Sequence, residues 1–180
     1  LVSSIILIKK TPELLKQRGK MQEGTKKWDK IVVLAYFLFA IIITPLVAGL
    51  DLRFEISSLS FYFTYIGIGL YFLSLLFSIW PMLHNPFFEG TVRIQKDKDH
   101  QVVSTGPYRI VRHPGYLGML LGSLPIPFAF GSIYSFIPVS IMILLVFLRT
   151  FYEDKTLQNE LEGYKEYCQK VKYRLIPLLW

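Results

Sequence analysis

The chain has 180 residues, of which 52% are hydrophobic and 18% charged, whereas a soluble domain carries about a quarter charged residues. A single cysteine, Cys168, allows no internal disulfide. The formal charge of +7 does not read as a nucleic-acid footprint, because the basic residues lie between apolar runs instead of forming one patch.

In chain order, Leu1–Ile8 is apolar but too short to span a bilayer. It reads as the end of a longer first helix or a non-standard start. A cleaved signal peptide is disfavoured, since no charged region precedes it and no small-residue cleavage site follows. Residues 9–30 form a basic linker in which Thr11-Pro12-Glu13 gives a helix start with proline at the first position. Two uncharged runs, Ile31–Leu50 and Ile56–Leu83, are each long enough to cross the hydrocarbon core, which takes ~20 apolar residues in a helix. A third run, Pro114–Leu148, is too long for one span. Pro125 and Pro127, followed by Gly131-Ser132, interrupt it near its middle and predict two shortish spans joined by a tight turn.

Topology follows from the distribution of the 20 basic residues. Eight lie in Lys9–Lys30, one at Arg53, five from Arg93 to Arg112 and six from Arg149 onward. The positive-inside rule then puts the linker, the central loop and the tail in the cytoplasm and Asp51–Glu55 outside. Four spans after Lys30 satisfy this without conflict. The chain is expected to be one all-α integral membrane domain with about four to five transmembrane helices. It divides into residues 1–30, a first hairpin at 31–83, a loop with a second hairpin at 84–148, and a tail at 149–180. In the tail, Leu157, Leu161, Tyr164, Cys168 and Val171 make a single helical stripe, predicting one amphipathic helix.

Chemistry-bearing residues gather in three places. Tyr108, Arg109, Arg112, His113 and Tyr116 crowd the start of the third run, where water meets lipid; a basic anchor accounts for them equally well. Arg149 and Glu153 lie one helical turn apart, so they can pair with each other or hold a charged ligand. Arg174 follows in a Tyr-Arg-Leu-Ile-Pro segment and is compatible with a phospholipid anchor. Gly115, Gly118 and Gly122 share a helix face that permits close approach of a neighbouring helix or a ligand. His84, His100 and His113 lack metal-ligand spacing, so no metal is expected. Neither a phosphate-binding loop nor a dinucleotide fingerprint is present.

Taken together, His100–Val103, Gly106–Tyr108, Arg112–Tyr116, Arg149–Glu153, Gly163–Tyr167 and Arg174–Pro177 resemble the ordered motifs of the isoprenylcysteine carboxyl methyltransferase family, part of a wider group that includes phospholipid N-methyltransferases. One departure is Asp154, where that family usually carries a second glutamate. The resemblance implies an S-adenosylmethionine-dependent methyltransferase. Its cofactor pocket would be cytoplasmic, closed by the central loop and tail, and opened laterally to lipid. Gln101, Val102, Val103, Gly106, Tyr108, Arg112, His113, Tyr116, Leu117 and Glu153 would bind the cofactor, while Arg149, Glu153 and Arg174 would serve the reaction. The implied partners are a lipophilic or lipid-anchored acceptor and membrane lipids, with no nucleic acid. The implied location is a prokaryotic inner membrane, or the endoplasmic reticulum in a eukaryote. Carboxyl O-methylation is the first expectation. Amine or phospholipid N-methylation, a nicotinamide-dependent membrane reductase and a non-enzymatic scaffold are the alternatives. Glu153→Ala and His113→Ala are both expected to weaken cofactor binding with little change in stability.

Overall fold

The computed structural model describes residues 22–180, so Leu1–Ile8 and the Thr11 helix start lie outside the described residues. Helix α1 (Lys27–Arg53), α2 (Tyr62–His84) and α4 (Phe136–Glu160) are long and apolar enough to cross a membrane. Helix α3 (Pro114–Phe130) is apolar and shorter, and α5 (Tyr164–Lys170) is a short tail helix. Every regular element among the described residues is helical. Ile31, Leu34, Ile41, Phe61, Tyr65, Phe72 and Leu144 are 63–71% exposed, an apolar surface that only lipid covers well. The chain is an all-α integral membrane protein.

Local sequence explains the irregularities inside the spans. Pro45 cannot donate its backbone nitrogen and its ring crowds the preceding turn. The helix accommodates it by widening to a π-turn over Phe39–Ile43, while Thr44 Oγ1 donates to the Phe39 carbonyl at 2.7 Å. Pro125 and Pro127 interrupt the hydrogen-bond ladder of α3 but not its course, since Leu124 keeps helical torsions. The reversal comes later, at Gly131, whose φ of 65° suits only glycine comfortably. The second half of the broken run is also not short, because α4 continues well past the apolar residues.

Small residues set how the spans pack. A Cβ placed on Gly118 would meet Ser78 Oγ at 2.6 Å and the Ser78 nitrogen at 2.8 Å, so α3 lies backbone to backbone against α2. Gly122 faces Ser74 on the same seam. The shared glycine face therefore serves helix contact at these two positions, as membrane interfaces favour where lipid supplies no hydrophobic drive. At one end of the bundle the buried Asp51 carboxylate accepts hydrogen bonds from the Ser57 nitrogen (2.8 Å), the Ser57 hydroxyl (2.6 Å) and the Ser132 hydroxyl, joining the α1–α2 and α3–α4 turns. At the opposite end lie the long connection from Asn85 to His113 and the tail.

The tail differs from the single stripe that its sequence suggests. Helix α4 runs unbroken to Glu160, Leu161 turns extended, and Gly163 adopts φ 78° before α5 begins. Leu161, Tyr164, Tyr167 and Val171 still bury together, with Val102 of the long connection packed against them.

Gly118→Ala is expected to cost roughly 1–3 kcal/mol by overpacking against Ser78, read as a lower melting temperature in detergent. Gly69→Ala, with open space beside it, is the control and stays within about 0.5 kcal/mol of wild type. Equal melting of the two variants would contradict the packing described.

Candidate active site

Asp154 has its side chain 1% exposed at the inner end of α4. Into it point Arg112 Nη2 at 3.1 Å, Arg174 Nε at 2.9 Å, Gln158 Nε2 at 2.7 Å and the Tyr164 hydroxyl at 3.2 Å, with His113 Nε2 at 3.2 Å. Backbone bonds run beside these side chains. The Arg112 nitrogen donates to the Tyr173 carbonyl and the His113 nitrogen to the Arg174 carbonyl, both at 2.9 Å. Arg112 Nη1 donates to the Val171 carbonyl at 3.1 Å. The carboxylate thereby fastens the end of the connection, α4 and the tail to one another.

A second buried pair joins the start of the bundle to the same place. Asp29, fully buried in the first turn of α1, accepts from Arg149 Nε at 2.7 Å, Arg149 Nη2 at 3.2 Å and the Val92 nitrogen at 2.7 Å. Arg149 also donates to the Gly90 carbonyl at 2.7 Å and lies 5.1 Å over the Tyr116 ring. It therefore does not pair with Glu153, the simplest reading of their spacing. Glu153 instead accepts the Tyr116 hydroxyl, and among the described residues no cation forms an ion pair with it.

The connection is ordered by its own side chains. Glu89 takes both Arg93 Nε (2.8 Å) and Arg93 Nη2 (2.9 Å), and Asp97 takes Arg93 Nη1 at 2.6 Å. These hydrogen bonds hold the guanidinium above its ordinary pKa. Asn85 Nδ2 donates to the Tyr108 hydroxyl at 3.0 Å, and the Tyr167 hydroxyl donates to the Tyr108 carbonyl at 2.6 Å. Burial raises the phenols of Tyr108, Tyr164 and Tyr167, so they remain protonated donors at neutral pH. Gly106 turns with φ 56° against the His84 ring, where a Cβ would lie 2.4 Å from Cδ2.

Between these parts lies a cavity of about 1090 Å³, counting its open mouth. Gln101, Val102, Val103, Tyr108, Arg112, His113, Tyr116, Arg149 and Glu153 all line it, so two stretches some forty residues apart share one chamber. Gly106, Leu117 and Arg174 do not form its wall. Gly106 shapes the turn, and Arg174 spends its Nε on Asp154 while its guanidinium covers Trp180 at 5.3 Å. Ser78, Gly115 and Met119 extend the wall into the helices.

Sequence reading missed Asp29, Glu89 and Gln95, and it did not foresee Asp154 as the junction. An acid standing alone among Lys26, Lys27 and Lys30 at the mouth of a span was the available signal for Asp29. Gln95 is 2% exposed in the cavity wall. Its Nε2 donates to the Phe87 carbonyl at 2.6 Å, and its Oε1 has no hydrogen-bond partner among the described residues. Leaving such an acceptor unmet costs roughly 1–3 kcal/mol, a cost that a ligand donor removes.

Residues 62–162 match the phospholipid methyltransferase family. The chain belongs to that family. The matched segment runs from α2 to the end of α4 and holds the connection, Glu153 and Asp154, while Asp29 and Arg174 lie outside it. Among curated proteins, the chain is similar to a Delta(14)-sterol reductase of Mus musculus, 30% identical over 99 residues that are 53% of this chain and 24% of the reductase. It is also similar to probable protein-S-isoprenylcysteine O-methyltransferases of Oryza sativa subspecies indica and japonica, each 27% identical over 86 residues, or 47% of this chain and 45% of theirs. The matches thus span less than half the length of these relatives.

Three outcomes follow from this geometry. Asp154→Ala strands Arg112 and Arg174 and should cost roughly 3–5 kcal/mol, as removal of one member of a buried ion network does; a melting temperature near wild type would refute the junction. His113→Ala should also lower stability, unlike the sequence expectation, because His113 belongs to the Asp154 network. The third outcome concerns His100, whose pKa burial depresses below 6.5, with Glu89 opposing and Arg93 reinforcing the shift. The fold favours neutral His100, so its contribution to stability is intact above 6.5 and shrinks as pH falls through the depressed value. Amide exchange across residues 95–103 should quicken on going from about pH 7.5 to about pH 5.5, and pH-independent exchange at matched intrinsic rates would contradict this.

Proposed function

We propose that the chain uses S-adenosylmethionine to methylate a lipophilic or amphipathic acceptor at the cytoplasmic face of its membrane. The observation that carries this reading is the charge state of the chamber. Its guanidiniums are already neutralised, Arg93 by Glu89 and Asp97, Arg112 by Asp154 and Arg149 by Asp29. Glu153 presents a carboxylate whose partner is a neutral phenol. Such a chamber suits a cationic ligand with an ammonium and a sulfonium better than one bearing several phosphates, which favours the methyl donor over a nicotinamide dinucleotide. The orphaned acceptor of Gln95 and the aromatic faces of Phe87, Phe88, Tyr108 and Tyr116 fit the same ligand, since onium groups lie favourably over aromatic rings.

When bound, the cofactor would supply an electrophilic methyl on positively charged sulfur. The chain's own work is then alignment and exclusion of water. Glu153 would hold the ammonium end. The junctions at Asp154 and Asp29 would fix both walls, and the wall at Ser78, Gly115 and Met119 would admit an acceptor from the bilayer. The cytoplasmic assignment rests on the basic residues flanking this end of the bundle. Carboxyl O-methylation remains the first reading of the acceptor, in line with the similarity to probable protein-S-isoprenylcysteine O-methyltransferases of rice. Engagement of Arg149 and Arg174 by Asp29 and Asp154 favours amine methylation as the second. A carboxylate acceptor would need one of these guanidiniums to turn from its partner, whereas an amine acceptor calls for no guanidinium.

Titration of the detergent-purified protein with S-adenosylhomocysteine and with NADPH tests the cofactor. Binding of the former alone is expected, with Glu153→Ala weakening it about tenfold or more through loss of a charge-assisted contact and leaving the melting temperature nearly unchanged. Binding of NADPH alone would overturn the proposal. Transfer of radiolabelled methyl to a prenylated thioether carboxylate, with none to an aminophospholipid, is expected for the first reading, and the opposite selectivity would establish the second.

A further inference from the structure

We propose that Gln95 is the residue that recognises the base of the cofactor, its Oε1 accepting a hydrogen bond from the exocyclic amino group of adenine; this rests on the cofactor reading above. Three observations converge on this side chain. Its carboxamide is oriented by Nε2, which donates to the Phe87 carbonyl at 2.6 Å, and this turns Oε1 away from that partner. That oxygen is buried in the cavity wall with no donor among the described residues, although buried acceptors are as a rule paired. Its surroundings suit a flat ring. The Phe87 and His100 rings lie 4.6 Å apart, both line the cavity, and the Gln95 nitrogen itself donates to His100 Nδ1 at 3.4 Å.

The chemistry assigns the two ends of the ligand. Glu153 offers a charged group to the ammonium end, while the Gln95 site offers an uncharged acceptor beside aromatic faces. An amino group on an aromatic ring is the donor that matches it. A hydroxyl could also donate, but it brings no plane to lie against Phe87 and His100. Because the acceptor is already desolvated, a ligand lacking the donor leaves it unmet, and discrimination is then stronger than the bond's strength in water suggests.

Calorimetric titration of the full chain in detergent decides the matter, comparing S-adenosylhomocysteine with the analogue in which hydrogen replaces the 6-amino group. Wild type should bind the amino compound about tenfold or more tightly. Gln95→Met, similar in volume and without a carbonyl, should bind both with affinities within about threefold of each other. Equal binding of the two ligands by wild type would overturn the assignment of Gln95 while leaving the cofactor reading intact, as would full discrimination by a folded Gln95→Met. Binding of neither ligand by wild type would overturn the cofactor reading and this inference with it. The wild-type comparison needs no variant, so a Gln95→Met protein that fails to fold does not decide the outcome.

Discussion

A carboxylate sealed in protein at a membrane edge is tolerated only when donors saturate it, and Asp154 meets that demand with groups drawn from three parts of the chain. Its desolvation would otherwise outweigh any gain from ion pairing. The requirement therefore acts as a constraint on geometry: the end of the long connection, α4 and the tail must all arrive before the charge is satisfied. Asp29 imposes the same condition on α1, α4 and the connection through Arg149 and the Val92 nitrogen. The chamber occupies the space between these two junctions.

Opposite ends of the bundle are built for different ends. The Asp51 cluster and the close seam of Gly118 on Ser78 make a stiff scaffold whose surface is left to lipid. At the other end, the chain spends about thirty residues on a connection with little regular structure, held by side-chain bonds such as Glu89 with Arg93 and Tyr167 with the Tyr108 carbonyl. Irregular backbone of that length exposes carbonyls and amides of its own, which a ligand site requires and a lipid-facing segment forbids.

Neighbouring acids on one helix show how position selects different partners. Glu153 and Asp154 are adjacent in sequence, yet the helical advance turns them to different neighbours. Asp154 meets two guanidiniums and is consumed by them, while Glu153 meets a phenol and lines the cavity. The short aspartate side chain fits this division, since its carboxylate is held close to the helix among fixed partners.

The sequence by itself determined the all-helical membrane class, because hydrophobic run length is a property of local sequence. It did not give the span count, since four to five were expected and the described residues hold three helices long enough to cross and a shorter apolar one. It singled out residues between Gln101 and Tyr116, and Glu153, that line one cavity. It also marked the Gly118 face as a contact surface, since small residues announce close approach wherever the partner comes from. Only the tertiary structure decided which charges pair. Arg149 is four residues from Glu153 but binds Asp29, a hundred and twenty residues away, because side-chain direction and burial, and not spacing along a helix, select the partner. Nor could periodicity reveal the break at Leu161 and Gly163: the apolar stripe continues through it, and the burial of Tyr164 and Tyr167 against Val102 is what bends the chain there. Gln95 was illegible for the same reason, as an unmet acceptor exists only once the surrounding donors have been placed.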